Sequence, residues 1–315
     1  MRDMSANILC LGTTPCAQRV MLFHRLVLDA VNRAGTTLDV ASGKSINVAK
    51  VLKALGEQPV AVGFIGGDRG EFIRTAMARQ GIECDFVTVA AQTRQCTTVI
   101  DESAGTHTEL VEESRAVAPA DDAKLMEIVR RHITGCRAAV MSGTIAPGAP
   151  VDLYFQCTRL AEAAGALSVV DAQRAPLLEA LKAGPGLVKP NRPELAATVG
   201  RELKDEAAVM AAMRELSERG ARRVIVTAGK DPALAFDGRD FWQIIAPGIK
   251  AVNPTGSGDA FTAGLVWRLL RGDDLGEACR WASAAGAANA LTAPVGEVDR
   301  ADVDRLAREV GVRRL

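Results

Sequence analysis

Asn253-Pro254-Thr255-Gly256-Ser257-Gly258-Asp259 runs straight into the amphipathic stretch carrying Ala260, Phe261, Gly264, Leu265, Trp267 and Leu269, so a glycine-rich turn opens a helix. In such a turn consecutive backbone N–H groups converge on one point, and the helix dipole adds partial positive charge there. A phosphate fits that point. Asp259 has two readings: it caps the helix, or it takes the proton of an attacking hydroxyl beside the bound anion, as phosphoryl transfer requires. Neither Walker A nor G-x-G-x-x-G spacing is present, which excludes a P-loop and a dinucleotide fingerprint at this turn.

Upstream, from about residue 120, short strand-like runs alternate with helix-length amphipathic stretches. Val140–Ser142, Ser168–Asp171, Leu187–Lys189 and Arg223–Thr227 read as buried strands, with helices expected over Val151–Ala164, Pro176–Leu181, Pro193–Val199 and Asp205–Arg219. That alternation predicts a parallel α/β sheet. Downstream, Asp259–Arg271 and Leu275–Leu291 read as long helices rich in small residues. The first third differs. Residues 14–42 and 86–117 lack a helical stripe and are rich in Val, Thr and Leu at near-alternating positions, which predicts a small accessory sheet. Between them Ile46, Ala49, Leu52 and Leu55 make an apolar helix face closed by Gly56. The expected architecture is one α/β domain over 1–315 with a discontinuous β lid at about 14–42 and 86–117.

Composition removes several function classes. The chain has 315 residues, 48% hydrophobic and 24% charged, and its 38 basic and 38 acidic residues cancel. No electrostatic footprint favours nucleic acid or an anionic membrane surface. No apolar run approaches the roughly 18 to 20 residues of a membrane helix, and Arg2 and Asp3 do not make a basic leader, so a cytoplasmic protein is expected. Seven cysteines without a C-x-x-C pair suggest neither a disulfide framework nor a structural zinc site. His24, His107 and His132 lack metal-ligand spacing, and Ser142 lacks the G-x-S-x-G of a hydrolase elbow.

A second glycine-rich segment, Ser42-Gly43-Lys44-Ser45-Ile46-Asn47-Val48-Ala49, opens the early helix. Its Gly-Lys-Ser is not a P-loop, because Leu38 stands where the first P-loop glycine is required. Lys44 and Asn47 either face a polyhydroxylated ligand or serve as a solvated lysine and a capping asparagine.

Together these segments resemble the ribokinase-like family of sugar kinases, the phosphofructokinase B type. Its C-terminal signature is matched by Asn253 to Val266 and its N-terminal signature in spacing by Gly43, Asn47, Ala49, Gly56 and Gly66, with Ser42 and Ser45 at positions where alanine, glycine or proline is usual. Ser142-Gly143-Thr144, Pro147-Gly148, Asp171, Lys189-Pro190-Asn191, Glu194 and Thr227-Ala228-Gly229 follow in order, so the likeness covers essentially residues 7–310. It implies a ribokinase-like three-layer α/β/α domain, a central mostly parallel sheet, a small β lid that closes over the sugar and excludes water, and the cofactors ATP and Mg²⁺. Asp259 then corresponds to the general base, and Gly256, Ser257 and Gly258 to the anion hole. Asn191 and Glu194 correspond to an N-x-x-E motif that orders Mg²⁺ through water. Asn191, Thr227, Gly229, Thr255, Gly256, Gly258 and Asn289 correspond to nucleotide contacts, and Gln18, Gly43, Lys44, Asn47, Arg94 and Ser142 to the substrate side. A homodimer paired through the lid is also implied, and a monovalent-cation requirement stays open.

Arg94 matches a position that binds the substrate's own phosphate in the branch of 1-phosphofructokinase and tagatose-6-phosphate kinase, and a planar guanidinium suits a phosphate ester. Lys44 matches a second such contact, although ribokinases share it. A ketohexose phosphate is therefore the expected acceptor. One departure bears on it: Thr14-Pro15-Cys16-Ala17-Gln18 puts Gln18 where that branch has an aspartate, exchanging an ionised acceptor for a neutral amide. Arg19 beside it either adds anion affinity or is solvated. The alternatives are a free sugar, a sugar acid or a nucleoside as acceptor, and a noncatalytic sugar-phosphate sensor.

Overall fold

Ile8-Leu9-Cys10-Leu11 is fully buried at every position, as a strand covered on both faces must be. The structure, a computed structural model, describes residues 7–315, so Arg2 and Asp3 lie outside it. Its strands are β1 (Ile8–Leu11), β2 (Cys16–Phe23), β3 (Thr36–Ser42), β4 (Pro59–Ile65), β5 (Glu83–Thr88), β6 (Arg94–Asp101), β7 (Thr106–Val111), β8 (Ala138–Ser142), β9 (Leu167–Asp171), β10 (Leu187–Val188), β11 (Val224–Ala228), β12 (Asp231–Phe236), β13 (Phe241–Ile245) and β14 (Gly311–Arg314). Its helices are α1 (Lys44–Ala54), α2 (Gly67–Arg79), α3 (Pro119–Ile133), α4 (Leu153–Ala163), α5 (Arg174–Leu181), α6 (Arg192–Val199), α7 (Glu206–Glu218), α8 (Ser257–Leu269), α9 (Leu275–Ala290) and α10 (Arg300–Leu306).

A ten-stranded sheet in the order β14-β13-β12-β11-β10-β9-β8-β1-β4-β5 separates two apolar layers. Because side chains alternate along a strand, Ile8 and Cys10 join the core formed with α1, α2, α8, α9 and α10, and Leu9 and Leu11 join the core formed with α3 to α7. The α/β fold with helices on both faces and a small separate sheet is thus present. From β5 to β11 neighbouring strands run parallel, whereas β11 through β14 pair antiparallel. β1 lies between β4 and β8, so the chain crosses over to either side of it and leaves a crevice at the carboxyl ends of β1, β8 and β9.

The second sheet has the order β3-β2-β6-β7. β2 pairs antiparallel with β3 and parallel with β6, so the two lid segments meet at its centre. Val20 and Ile100 pack on Val295, and the His107 ring lies 2.7 Å from the Val252 carbonyl, which seats this sheet on the body. Lys50, buried on α1, donates to the carbonyls of Ala41 and Val295, tying the base of β3 to the same loop.

Three features differ from the sequence reading. Phe86 to Thr88, expected in the accessory sheet, complete β5 of the large sheet opposite Gly63 to Ile65. Alternation marks a strand but does not say which sheet takes it. The reading has no counterpart for α2, whose buried face is only Gly70, Ile73 and Met77, nor for the antiparallel strands β12 to β14. No helix among the described residues is long and apolar enough to cross a membrane, and their cysteines are free thiols.

Candidate active site

The turn from Asn253 to Gly256 is braced from behind. Asn253 Oδ1 accepts from the Thr255 N–H at 3.1 Å, and the Asn289 amide donates to the Thr255 carbonyl at 2.8 Å and to Ser257 Oγ at 3.3 Å. Asn289 Oδ1 accepts from the Gly296 N–H at 2.8 Å, so this fully buried side chain is occupied with the turn itself. The sequence reading put Asn289 among the nucleotide contacts; in the structure its amide braces the turn. Gly256 caps α8 with φ 82°, a left-handed value that suits glycine. The Ser257 N–H donates to the Pro254 carbonyl at 3.1 Å, whereas no protein acceptor pairs with the N–H of Gly256 or Gly258 among the described residues. The N–H groups left unpaired at this turn among the described residues are therefore those of the two glycines, not three consecutive ones.

Asp259 is not the cap. It is the third residue of α8, buried, and its Oδ2 accepts from Asn47 Nδ2 at 2.7 Å. Ser42 Oγ donates to Asn47 Oδ1 at 3.1 Å, which turns the amide so that its NH₂ faces Asp259. Burial pushes the Asp259 carboxyl up to about 7, against the opposing pull of the Lys44 ammonium.

Lys44 begins α1 directly after Gly43, whose φ of 114° and position against the Pro15 backbone leave no room for a side chain. Its Nζ lies 3.0 Å from Asp171 Oδ1 and 3.0 Å from Glu194 Oε1. Asp171 Oδ2 in turn lies 3.0 Å from Lys189 Nζ and accepts from Thr262 at 3.2 Å. Burial would raise the Asp171 carboxyl, but Lys189 and Lys44 outweigh it and hold it down to about 2. A Cβ placed on Gly258 would sit 3.8 Å from Lys189 Nζ, so that ammonium flanks the anion point. Asn191 and Glu194 form a reciprocal capping box at the start of α6, each side chain accepting from the other's N–H at 2.8 Å. Glu194 Oε1, beside Lys44, remains turned to the cleft.

A groove of about 600 Å³ is lined by Asn191, Thr227, Gly229, Ser257, Gly258 and Ser283. Of the expected nucleotide residues it brings together Asn191, Thr227, Gly229 and Gly258, while Thr255, Gly256 and Asn289 are not part of its lining. On the other side, Gln18 shares the inward face of β2 with Cys16 and Val20 and donates to Thr98 Oγ1 at 2.8 Å. Arg19 points the opposite way and pairs with Asp39 at 2.7 Å, away from any anion in the cleft. Ser142 Oγ is buried without a partner. Arg94 lines a cavity of only about 30 Å³; its fork is turned onto the carbonyls of Thr14 at 2.9 Å and Glu112 at 3.4 Å, and its buried Nε has no partner. Sequence reasoning missed Lys189 and Asp171 as parts of the site. The available signal was a carboxylate and a lysine, each ending an apolar strand.

Among the described residues no three His, Cys, Asp or Glu side chains converge as a metal-ligand set. Glu194, a carboxylate lining the cleft beside Lys44, fits a hydrated Mg²⁺ carried by nucleotide phosphates, since that ion keeps several waters and takes one or two protein carboxylates.

The family described as pfkB family carbohydrate kinase matches residues 5–297. The tagatose-6-phosphate kinase of Staphylococcus epidermidis is 29% identical over 308 residues, covering 97% of this chain and 99% of its own. The structure of Escherichia coli phosphofructokinase-2 in complex with substrates and products superposes with a TM-score of 0.88 at 27% identity, over 96% of this chain and 98% of that one. Arabidopsis thaliana ribokinase, complexed with ribose and ATP, shares the fold with a TM-score of 0.75 at 20% identity, over 96% of this chain and 98% of its own.

Proposed function

Because the chain belongs to the pfkB family of carbohydrate kinases, we propose that it transfers the γ-phosphoryl group of ATP to a hydroxyl of a ketohexose phosphate, with Asp259 as general base. The observation that carries this is the juxtaposition at the start of α8. A buried carboxylate raised to about 7 stands one residue from the Gly258 N–H, with Lys189 flanking the same point. Tagatose-6-phosphate kinase and phosphofructokinase-2 among the similar proteins support a phosphorylated acceptor.

The groove at Thr227, Gly229 and Ser283 holds the nucleotide, and the amides of Gly256 and Gly258 meet its terminal phosphate. Asp259, oriented by Asn47, takes the proton of the acceptor hydroxyl as the oxygen attacks the γ-phosphorus. Lys44 and Lys189, set by Asp171, offset charge on the equatorial oxygens in the transition state. Mg²⁺, when bound, neutralises β- and γ-phosphate charge beside Glu194. The four-stranded sheet covers the acceptor and keeps water from competing for the phosphoryl group. Exposed Val27, Leu28 and Val31, between β2 and β3, give that sheet an apolar tip suited to pairing with a second copy.

A free sugar, sugar acid or nucleoside remains the second reading, favoured by the inward turn of the Arg94 fork and the neutral Gln18. ADP release is measured with Mg-ATP, in potassium and in sodium buffers, against fructose 1-phosphate, fructose 6-phosphate, tagatose 6-phosphate, the free ketohexoses, sugar acids and nucleosides. Turnover concentrated on ketohexose phosphates is expected. Turnover on nucleosides or neutral sugars alone moves the acceptor assignment, and tight binding without ADP release makes the protein a sensor.

A further inference from the structure

A cavity of about 390 Å³ opens at the carboxyl ends of β8 and β9, lined by Lys44, Gly143, Thr144, Gln173, Arg174 and Glu194. It shares no lining residue with the nucleotide groove, but meets the catalytic cluster through Lys44 and Glu194. Arg174 has φ 55°, in the left-handed region that any residue with a Cβ enters at a cost. That backbone is pinned: the Arg174 N–H donates to Thr198 Oγ1 at 2.8 Å, and the same hydroxyl donates to the Glu194 carbonyl at 2.6 Å. The side chain is exposed, and among the described residues its guanidinium makes no ion pair or hydrogen bond.

The charges of the cavity are thus unequal in availability. Lys44 is held between Asp171 and Glu194, and Glu194 is held by Lys44 and the Asn191 N–H. Arg174 is the lining cation with nothing to satisfy it among the described residues. Arg94 is its opposite, a guanidinium already turned onto two backbone carbonyls.

We propose that Arg174 is a specificity residue that reads a second anionic group, a phosphate or a carboxylate, on the acceptor at the end remote from the reacting hydroxyl. The planar fork binds either group bidentately. The inference rests on the kinase reading above and deepens it.

The test compares the parent chain with Arg174→Gly and Arg174→Lys, measuring KM and kcat for sugar phosphates, for sugar acids, for the matching neutral sugars, and for ATP. Glycine is relaxed at this φ, so Arg174→Gly folds, with a thermal midpoint at or above the parent's. Its KM for the anionic acceptor rises roughly ten- to hundredfold, the loss of a charge-assisted contact, while KM for the neutral sugar and for ATP stays put. Arg174→Lys recovers part of the loss. Whether the phosphate or the acid arm responds identifies the anion. An unchanged KM, an equal rise for the neutral sugar, or a rise confined to ATP overturns the inference while leaving the kinase reading intact. A parent chain that turns over neutral acceptors alone overturns the inference and moves the acceptor assignment, whereas one that releases no ADP with any acceptor overturns the kinase reading itself.

Discussion

On the nucleotide side of the cleft, the turn before α8 is held by near neighbours, Asn253 accepting from the Thr255 N–H and Pro254 from the Ser257 N–H. On the acceptor side, Gln18 reaches Thr98 across 80 positions, Lys44 reaches Glu194 across 150, and Asn47 reaches Asp259 across 212. A site built from adjacent residues is specified by a motif. A site built from distant ones is specified by the fold, and its parts carry no local mark. In the proposed reaction the difference also divides the chemistry: the local half offers a general anion point, and the assembled half selects the hydroxyl that meets it.

Asp259 joins the two halves, so its removal is the harshest test of the comparison. Asp259→Asn should lower kcat roughly 10²- to 10⁴-fold, the range of a positioned general base, with ATP affinity nearly unchanged. The parent's kcat/KM for the acceptor should fall as pH drops below about 7, since the raised carboxyl is then protonated and accepts no further proton. Asp259→Asn should flatten that limb. A limb that persists in the variant assigns the titration to another group.

Lys189→Met asks whether backbone amides alone suffice on the nucleotide side. Losing one donor to the transferring group costs roughly 10²- to 10³-fold in kcat. Removing one partner of a buried pair destabilises by about 3–5 kcal/mol, although Asp171 keeps Lys44 as a second cation. Thermal unfolding and single-turnover rates separate the two effects. A variant that melts early but turns over normally confines Lys189 to structure.

The strands from β8 to β11 and the helices from α4 to α9 were legible in the sequence, because each pairs an apolar run with a helical stripe of ordinary length. The turn at Gly256 was legible for the same local reason. Residues 86–88 were assigned to the wrong sheet, since Phe86 and Val87 alternate as well in a two-sided core as in a lid. For Asn289 proximity to the nucleotide region was readable, but not that its amide faces the turn, because its partners lie 34 and 7 positions away. The electrostatic cluster of Asp171, Lys189, Lys44 and Glu194 escaped as a unit because four separate strand or helix ends contribute to it.

Ser42→Ala sharpens the comparison at smaller amplitude. Ser42 fixes the Asn47 amide, and that amide lowers the Asp259 carboxyl against its burial. Losing one neutral hydrogen bond costs about 0.5–1.5 kcal/mol, roughly three- to tenfold in kcat by the usual conversion. With Asn47 less constrained, the acid limb of kcat/KM should move to higher pH. A loss of rate with an unmoved limb would mean that Ser42 supports the end of β3 and not the base.

The smallest effect lies on the outer face of β2, one residue from an inward position. Arg19 pairs with Asp39 at 2.7 Å and both are more than two-fifths exposed, so Arg19→Ala should cost at most about 1 kcal/mol of stability. KM for the acceptor should not change. Gln18→Leu, on the inward face, should raise it, because the strand's alternation turns that amide toward Thr98 and the cleft. Equal effects from both substitutions would show that the lid acts on the acceptor through its motion as a whole. Unequal effects would place acceptor recognition on one face of one strand, assembled by the fold around a nucleotide site that the sequence spells out locally.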